Sequence, residues 1–86
     1  MSIGNVKRRF KMSKQIKIFA DFMNSDKKGR IRLTTNGTRK DLLDNNIQLR
    51  EGMELWIDDR EGHSVICIVE FSKEENIWVG VIDRVK

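Results

Sequence analysis

Chemistry needs particular side chains within reach of one another, and this chain of 86 residues offers few of them. Its single histidine, His63, stands beside a turn glycine. It has too few Cys or His partners for a zinc site and lacks the cleft setting that a Ser-His-Asp relay requires. Its single cysteine, Cys67, lies between Ile66 and Ile68, the setting of a small apolar filler rather than a reactive thiolate. One thiol also excludes an internal disulfide framework. Asp58, Asp59 and Glu61 gather at a turn, but without the alternating oxygen ligands and glycine of an EF-hand loop. Asp21 and Asp26 flank another turn at the wrong spacing for such a site, and Asp41 and Asp44 fall in a helix, where Asp41 suits the positive N-terminal dipole. The six glycines are scattered singly, so no phosphate-binding loop is present, and Asn36-Gly37-Thr38 reads as a turn. These residues predict no enzyme, no metal, no cofactor and no small-molecule substrate.

The charge pattern says more. The formal net charge of +4 hides a strong division. Residues 1–40 carry twelve basic groups against two acids, and residues 41–86 carry five against eleven. Such asymmetry points to a tail, a partner surface, or pairing between the two halves. Lys7, Arg8, Arg9 and Lys11 interrupt any apolar stripe, so residues 1–14 read as a mobile basic arm preceding a domain over 15–86. Met12-Ser13-Lys14 also has the form of an alternative start; from Met12 onward thirteen basic residues face thirteen acids. No apolar run approaches the roughly 18–20 residues of a membrane span, and the N-terminus lacks the apolar stretch of a secretory signal, so a cytoplasmic protein is expected. Lys27, Lys28, Arg30, Arg32, Arg39 and Lys40 are the candidates for tracking phosphates if a barrel face binds RNA or DNA. No tyrosine and no interleaved aromatic-basic motif accompanies them.

The elements that must position these residues follow from alternation. Ile16, Ile18, Ala20 and Phe22 alternate with Lys17, Phe19 and Asp21, which predicts a half-buried strand over 15–22. A turn rich in Asn, Ser, Asp and Gly leads to a second strand over 30–34, and the two read as a hairpin. Thr38 and Asp41 have the spacing of a capping box and predict a helix of at most two turns, ending near Asn45-Asn46. Strands over 53–58, 63–71 and 77–85 complete the chain, with turns at 59–62 and 72–76 and with Gly80 marking a bulge or a close backbone approach. The predicted fold is mainly β: a small five-stranded antiparallel barrel, SH3-like, with one short helix between strands 2 and 3.

The last strands carry apolar residues on both faces, more than one thin core can hold. Trp56 falls on the polar side of its strand, and exposed tryptophan is a usual interface anchor. Trp56, Trp78, Ile66, Ile68 and Ile82 are therefore the candidate partner-binding residues.

Five blocks occur in order along the chain: Ala20-Asp21-Phe22-Met23-Asn24, Gly29-Arg30-Ile31-Arg32-Leu33, Gly37-Thr38-Arg39-Lys40-Asp41-Leu42, Leu49-Arg50-Glu51-Gly52-Met53 and Ile77-Trp78-Val79-Gly80-Val81-Ile82-Asp83. Over roughly residues 16–84 the chain resembles a group of small uncharacterised bacterial proteins with the same succession. The resemblance implies a domain that excludes the basic arm, and it implies no activity, ligand or catalytic residue. Arg84 departs from the aromatic expected after Ile82-Asp83. Together these readings predict a non-enzymatic protein-interaction module that self-associates, as a homodimer, through apolar strand surface. RNA or DNA binding by the basic residues of 27–40 is the alternative.

Overall fold

The computed structural model describes residues 16–82. The arm expected over 1–14 and the closing position Arg84 lie outside them. Strands β1 (Lys17–Phe19), β2 (Ile31–Arg32), β3 (Glu54–Asp58), β4 (Ser64–Ser72) and β5 (Ile77–Ile82) form one sheet, and helix α1 (Asn36–Asp44) falls between β2 and β3. The sheet order is β1-β3-β4-β5-β2. It curls into a half-barrel, because residues of both edge strands, Ile18 and Ile31, share one core with Leu55, Ile57, Cys67 and Val69. Among the described residues no helix is long and apolar enough to cross a membrane.

Two expectations about pairing are corrected. The sheet is mixed, since β1 runs parallel to β3, with Ile18 opposite Ile57, while the other ladders are antiparallel. Parallel pairing needs a long crossover, which the chain between β1 and β3, with β2 and α1 inside it, supplies. The expected hairpin of the first two strands does not form either, and no ladder joins β1 to β2 among the described residues. The turn chemistry at Gly29 explains why. Gly29 takes φ of +80° and donates to the Asp26 carbonyl, so a tight hairpin closes between 24–26 and 30–32, with Asp26 N donating to Arg30 O and Arg32 N to Asn24 O. β1 has by then left in another direction, through a second turn in which Asn24 N donates to the Asp21 carbonyl.

The helix begins one turn earlier than its predicted cap. Thr35 is the N-cap, its hydroxyl accepting from Thr38 N at 3.3 Å, and Asn45 is the C-cap. Thr38 and Asp41, one turn apart on the same helix face, seal the open edge of β1 instead. Thr38 Oγ1 donates to Phe19 O at 2.7 Å, and Asp41 Oδ2 accepts from Phe19 N at 2.9 Å. An edge strand exposes such groups to pairing with other chains, and here side chains occupy them. Leu42, Ile47, Leu49 and Met53 pack against the core from the helix side.

Gly80 is a point of close approach. It lies opposite Val69 and Ile31, and a Cβ on it would sit 2.7 Å from Cys67 Sγ. Glycine at this position lets β5 pack directly over the buried thiol.

Candidate interaction surface

Strand register sorts the apolar residues of β3, β4 and β5 onto two faces. Leu55, Ile57, Cys67 and Val69 point into the half-barrel, and the paired positions place Trp78, Gly80 and Ile82 on that same inner face. Trp78 and Ile82 are half-buried and pack against the core, and Trp78 meets Phe71 edge to face at 5.1 Å between centroids. They therefore do not share a surface with the other candidates. Trp56, Ile66 and Ile68 occupy the outer face. One row across the sheet reads Lys17, Trp56, Ile66, and the next reads Glu54, Ile68, Val81. Lys17 Nζ lies 5.7 Å from the centre of the Trp56 ring, covering part of the indole with a cation. Trp56, Ile68 and Val81 are half-buried, and Ile66 at their centre is 39 % exposed. The outer face thus presents a contiguous apolar strip with Lys17 and Glu54 ending adjacent rows on its β1 side.

The basic residues of 27–40 meet a different environment from the one a phosphate-tracking groove needs. Asp26, whose side chain is only 2 % exposed, accepts from Lys28 N, Arg30 N and Arg30 Nε at 2.9, 2.8 and 2.9 Å. Arg30, 13 % exposed, also reaches Glu70 at 3.3 Å, Ser72 Oγ at 3.4 Å and Glu74 at 3.8 Å. Arg32 forms a two-pronged pair with Glu75 at 2.7 and 3.0 Å and bonds Asn24 and the Ser25 carbonyl. Lys28 pairs with Glu74 at 3.7 Å, and Lys40 with Asp44 at 2.8 Å. Only Lys27 and Arg39 of the six lack an ion-pair partner among the described residues.

The electrostatics of this network agree with its geometry. Burial alone would raise the Asp26 carboxyl, yet two backbone N–H donors and the Arg30 guanidinium together hold it below the ordinary aspartate value. Burial pulls Arg30 down, and its bonds to Asp26 and Glu70 more than offset this. The Arg32–Glu75 hydrogen bond moves both partners toward the charged form, raising Arg32 and lowering Glu75. Acids of the β4–β5 hairpin thereby neutralise cations from the first half of the chain.

The residues with catalytic potential stay apart. His63 Nδ1 lies 2.7 Å from Asp59 Oδ2 on the rim of an open depression of about 460 Å³. The depression is lined by Phe19, Ala20, Phe22 and Met23 together with Asp21, Asp59, Glu61 and His63. Asp59 also accepts from Glu61 N and His63 N; burial would raise its carboxyl, but these donors and the His63 ring lower it. The Asp59–His63 contact thus knits a turn. Burial pushes the Cys67 thiol up to about 11, and its side chain faces the core. Among the described residues no group of three or more His, Cys, Asp or Glu side chains is arranged to hold a metal ion.

Several structurally important residues carry only weak signals in the sequence. Asp26 had a signal, since Asp at the start of a turn closed three residues later by Gly is a common pattern. Thr38 and Asp41 fill a role other than the expected capping box, because a capping box and an edge seal use the same spacing. Met23, 88 % exposed beside Phe22, had no signal in alternation. Comparison of the chain with protein-family models, curated proteins and solved structures returned no match.

Proposed function

We propose that this chain is a non-catalytic protein-interaction module that self-associates through the outer face of β3, β4 and β5. The observation that carries this reading is the contiguous strip of Trp56, Ile66, Ile68 and Val81 on the face turned away from the core. Apolar surface of this kind marks interaction sites, and a tryptophan with a cation over its ring is a common anchor. Lys17 and Glu54 end adjacent rows on the same side of the strip, and two copies related by a two-fold axis could set lysine against glutamate while stacking the isoleucines. We read the half-barrel as an SH3-like barrel with helix α1 and residues 47–53 across its open side. Nucleic-acid binding draws less support, because four of the six cations it would use are engaged with carboxylates. Light scattering over a range of micromolar concentrations tests the reading. A mass that rises with concentration in the native chain and stays monomeric in Ile66→Lys, with both chains equally folded, supports it. A monomer at every concentration overturns it.

A further inference from the structure

The two edges of the sheet are closed by different means. Along β2 the main chain of 24–26 lies alongside, with Asp26 N donating to Arg30 O and Arg32 N to Asn24 O. Along β1, within the described residues, the closure is made by side chains and centres on Phe19. Ala20 N donates to Asp58 O on β3, so Phe19, the residue before it, turns its N–H and C=O to the outer edge. Asp41 Oδ2 accepts from the first at 2.9 Å, and Thr38 Oγ1 donates to the second at 2.7 Å. One acceptor and one donor at a single residue are what a neighbouring strand supplies at a hydrogen-bonded pair of an antiparallel ladder. Helix α1 thus stands in for a strand.

Further contacts fasten the helix there. The Phe19 ring packs on Gly37, where a Cβ would lie 2.7 Å from Phe19 Cδ2. Arg60, from the turn between β3 and β4, pairs with Asp41 and lies 5.3 Å from the centre of the Phe19 ring. Thr38 is fully buried, and its hydroxyl also meets Thr35 Oγ1 at 2.7 Å. An incoming strand would run about 4.8 Å from β1 and needs the space that α1 fills. It would replace the two bonds at Phe19 one for one, so the other contacts of the helix decide which of the two holds the edge.

The sequence of β1 suits one such strand, the β1 of a second copy. A two-fold axis at Phe19 makes the two Phe19 residues a hydrogen-bonded pair and sets each Lys17 opposite Asp21 of the other copy. We propose that the β1 edge is a strand-pairing surface for a second copy of this chain, and that Thr38 and Asp41 hold it shut. This contact joins edge to edge, whereas the outer strip joins face to face, and it stands without the strip.

The test uses full-length chains that all carry Ile66→Lys, which takes the outer strip out of play. Thr38→Val with Asp41→Leu removes the donor and the acceptor, whereas Thr38→Ser with Asp41→Asn keeps one of each. Light scattering reads the mass, and hydrogen exchange reads the Phe19 amide. The proposal predicts that the first pair of substitutions moves the chain from monomer toward dimer at micromolar concentration. Exchange at Phe19, fast in the dilute variant, then slows several-fold as the dimer forms. The second pair stays monomeric, and adding Asp21→Lys to the first weakens its dimer several-fold. A folded Thr38→Val, Asp41→Leu chain that stays monomeric overturns the proposal, and so does a dimer in which the Phe19 amide exchanges as fast as in the dilute chain. Should circular dichroism show that chain unfolded, Thr38→Val alone, which keeps Asp41, decides on the same two readings.

Discussion

Replacing Asp26 probes the network that holds the first half of the chain to the second. Its carboxylate accepts three hydrogen bonds at 2.8–2.9 Å while its side chain is 2 % exposed. Asp26→Asn keeps an oxygen for the two backbone donors but turns an amide toward Arg30 Nε, losing the charge-assisted bond. That loss costs about 1.5–3 kcal/mol. Asp26→Ala loses all three bonds and should cost about 3–5 kcal/mol, the range for removing one partner of a buried ion pair. In a domain of this size the milder change lowers the melting temperature by roughly 6 °C or more. Urea and thermal unfolding followed by circular dichroism would give both values. The folded-state pKa lies below the ordinary 3.8, so the carboxylate's contribution is complete above the unfolded value and drains away as pH falls through the folded one. The gap between native and Asp26→Asn should therefore be full at neutral pH and narrow below about pH 5. Losses under about 0.5 kcal/mol for both variants would show that the Asp26 network does not hold the two halves together. Oligonucleotide binding adds a functional check. Were Arg30 a phosphate ligand, releasing it from Asp26 would strengthen binding, whereas the structural reading predicts no change.

Gly80→Ala should cost about 1–3 kcal/mol through overpacking against Cys67 Sγ, and combining it with Cys67→Ala should restore part of that in urea unfolding. Thr38→Val should cost about 1–2 kcal/mol by leaving Phe19 O without its donor, and Asp41→Ala should speed hydrogen exchange at the Phe19 amide. Cys67 should resist alkylation in the folded chain near pH 8 and react on unfolding, because burial pushes its pKa to about 11; fast labelling of native protein would contradict its placement. Lys27→Ala with Arg39→Ala should leave oligonucleotide binding flat against salt; a log–log slope near −3 to −5 in the native chain would count against the internal-pairing reading.

Much of the fold was legible in alternation and turn chemistry, and the exceptions share a cause. Five strands and one short helix can be read locally, since each depends on its own side-chain period and flanking turns; the helix proves half a turn longer than the two turns expected. Which strands become neighbours depends on distant contacts. The β1–β3 parallel ladder joins residues on either side of β2 and α1, and nothing near Lys17 announces it. β5 has apolar residues at both parities, so alternation alone could not say whether Trp78 and Ile82 face in or out. The pairing of Cys67 with Ile82, and of Gly80 with Val69, decides for the inner face. Trp56, Ile66 and Ile68 were legible as an outer surface because Glu54 and Asp58 flank the tryptophan in alternation. The basic cluster was legible as composition, while its partners Glu70, Glu74 and Glu75 lie some forty residues away along the chain.

The proposed self-association runs through the outer strip of Trp56, Ile66, Ile68 and Val81. The most direct test is to follow amide and indole resonances of the full-length chain as it is concentrated. Shifts should gather at Trp56 Nε1–H, Ile66, Ile68 and Val81, and vanish in Ile66→Lys. Resonances that do not move with concentration, or shifts centred on residues 27–40, would contradict it.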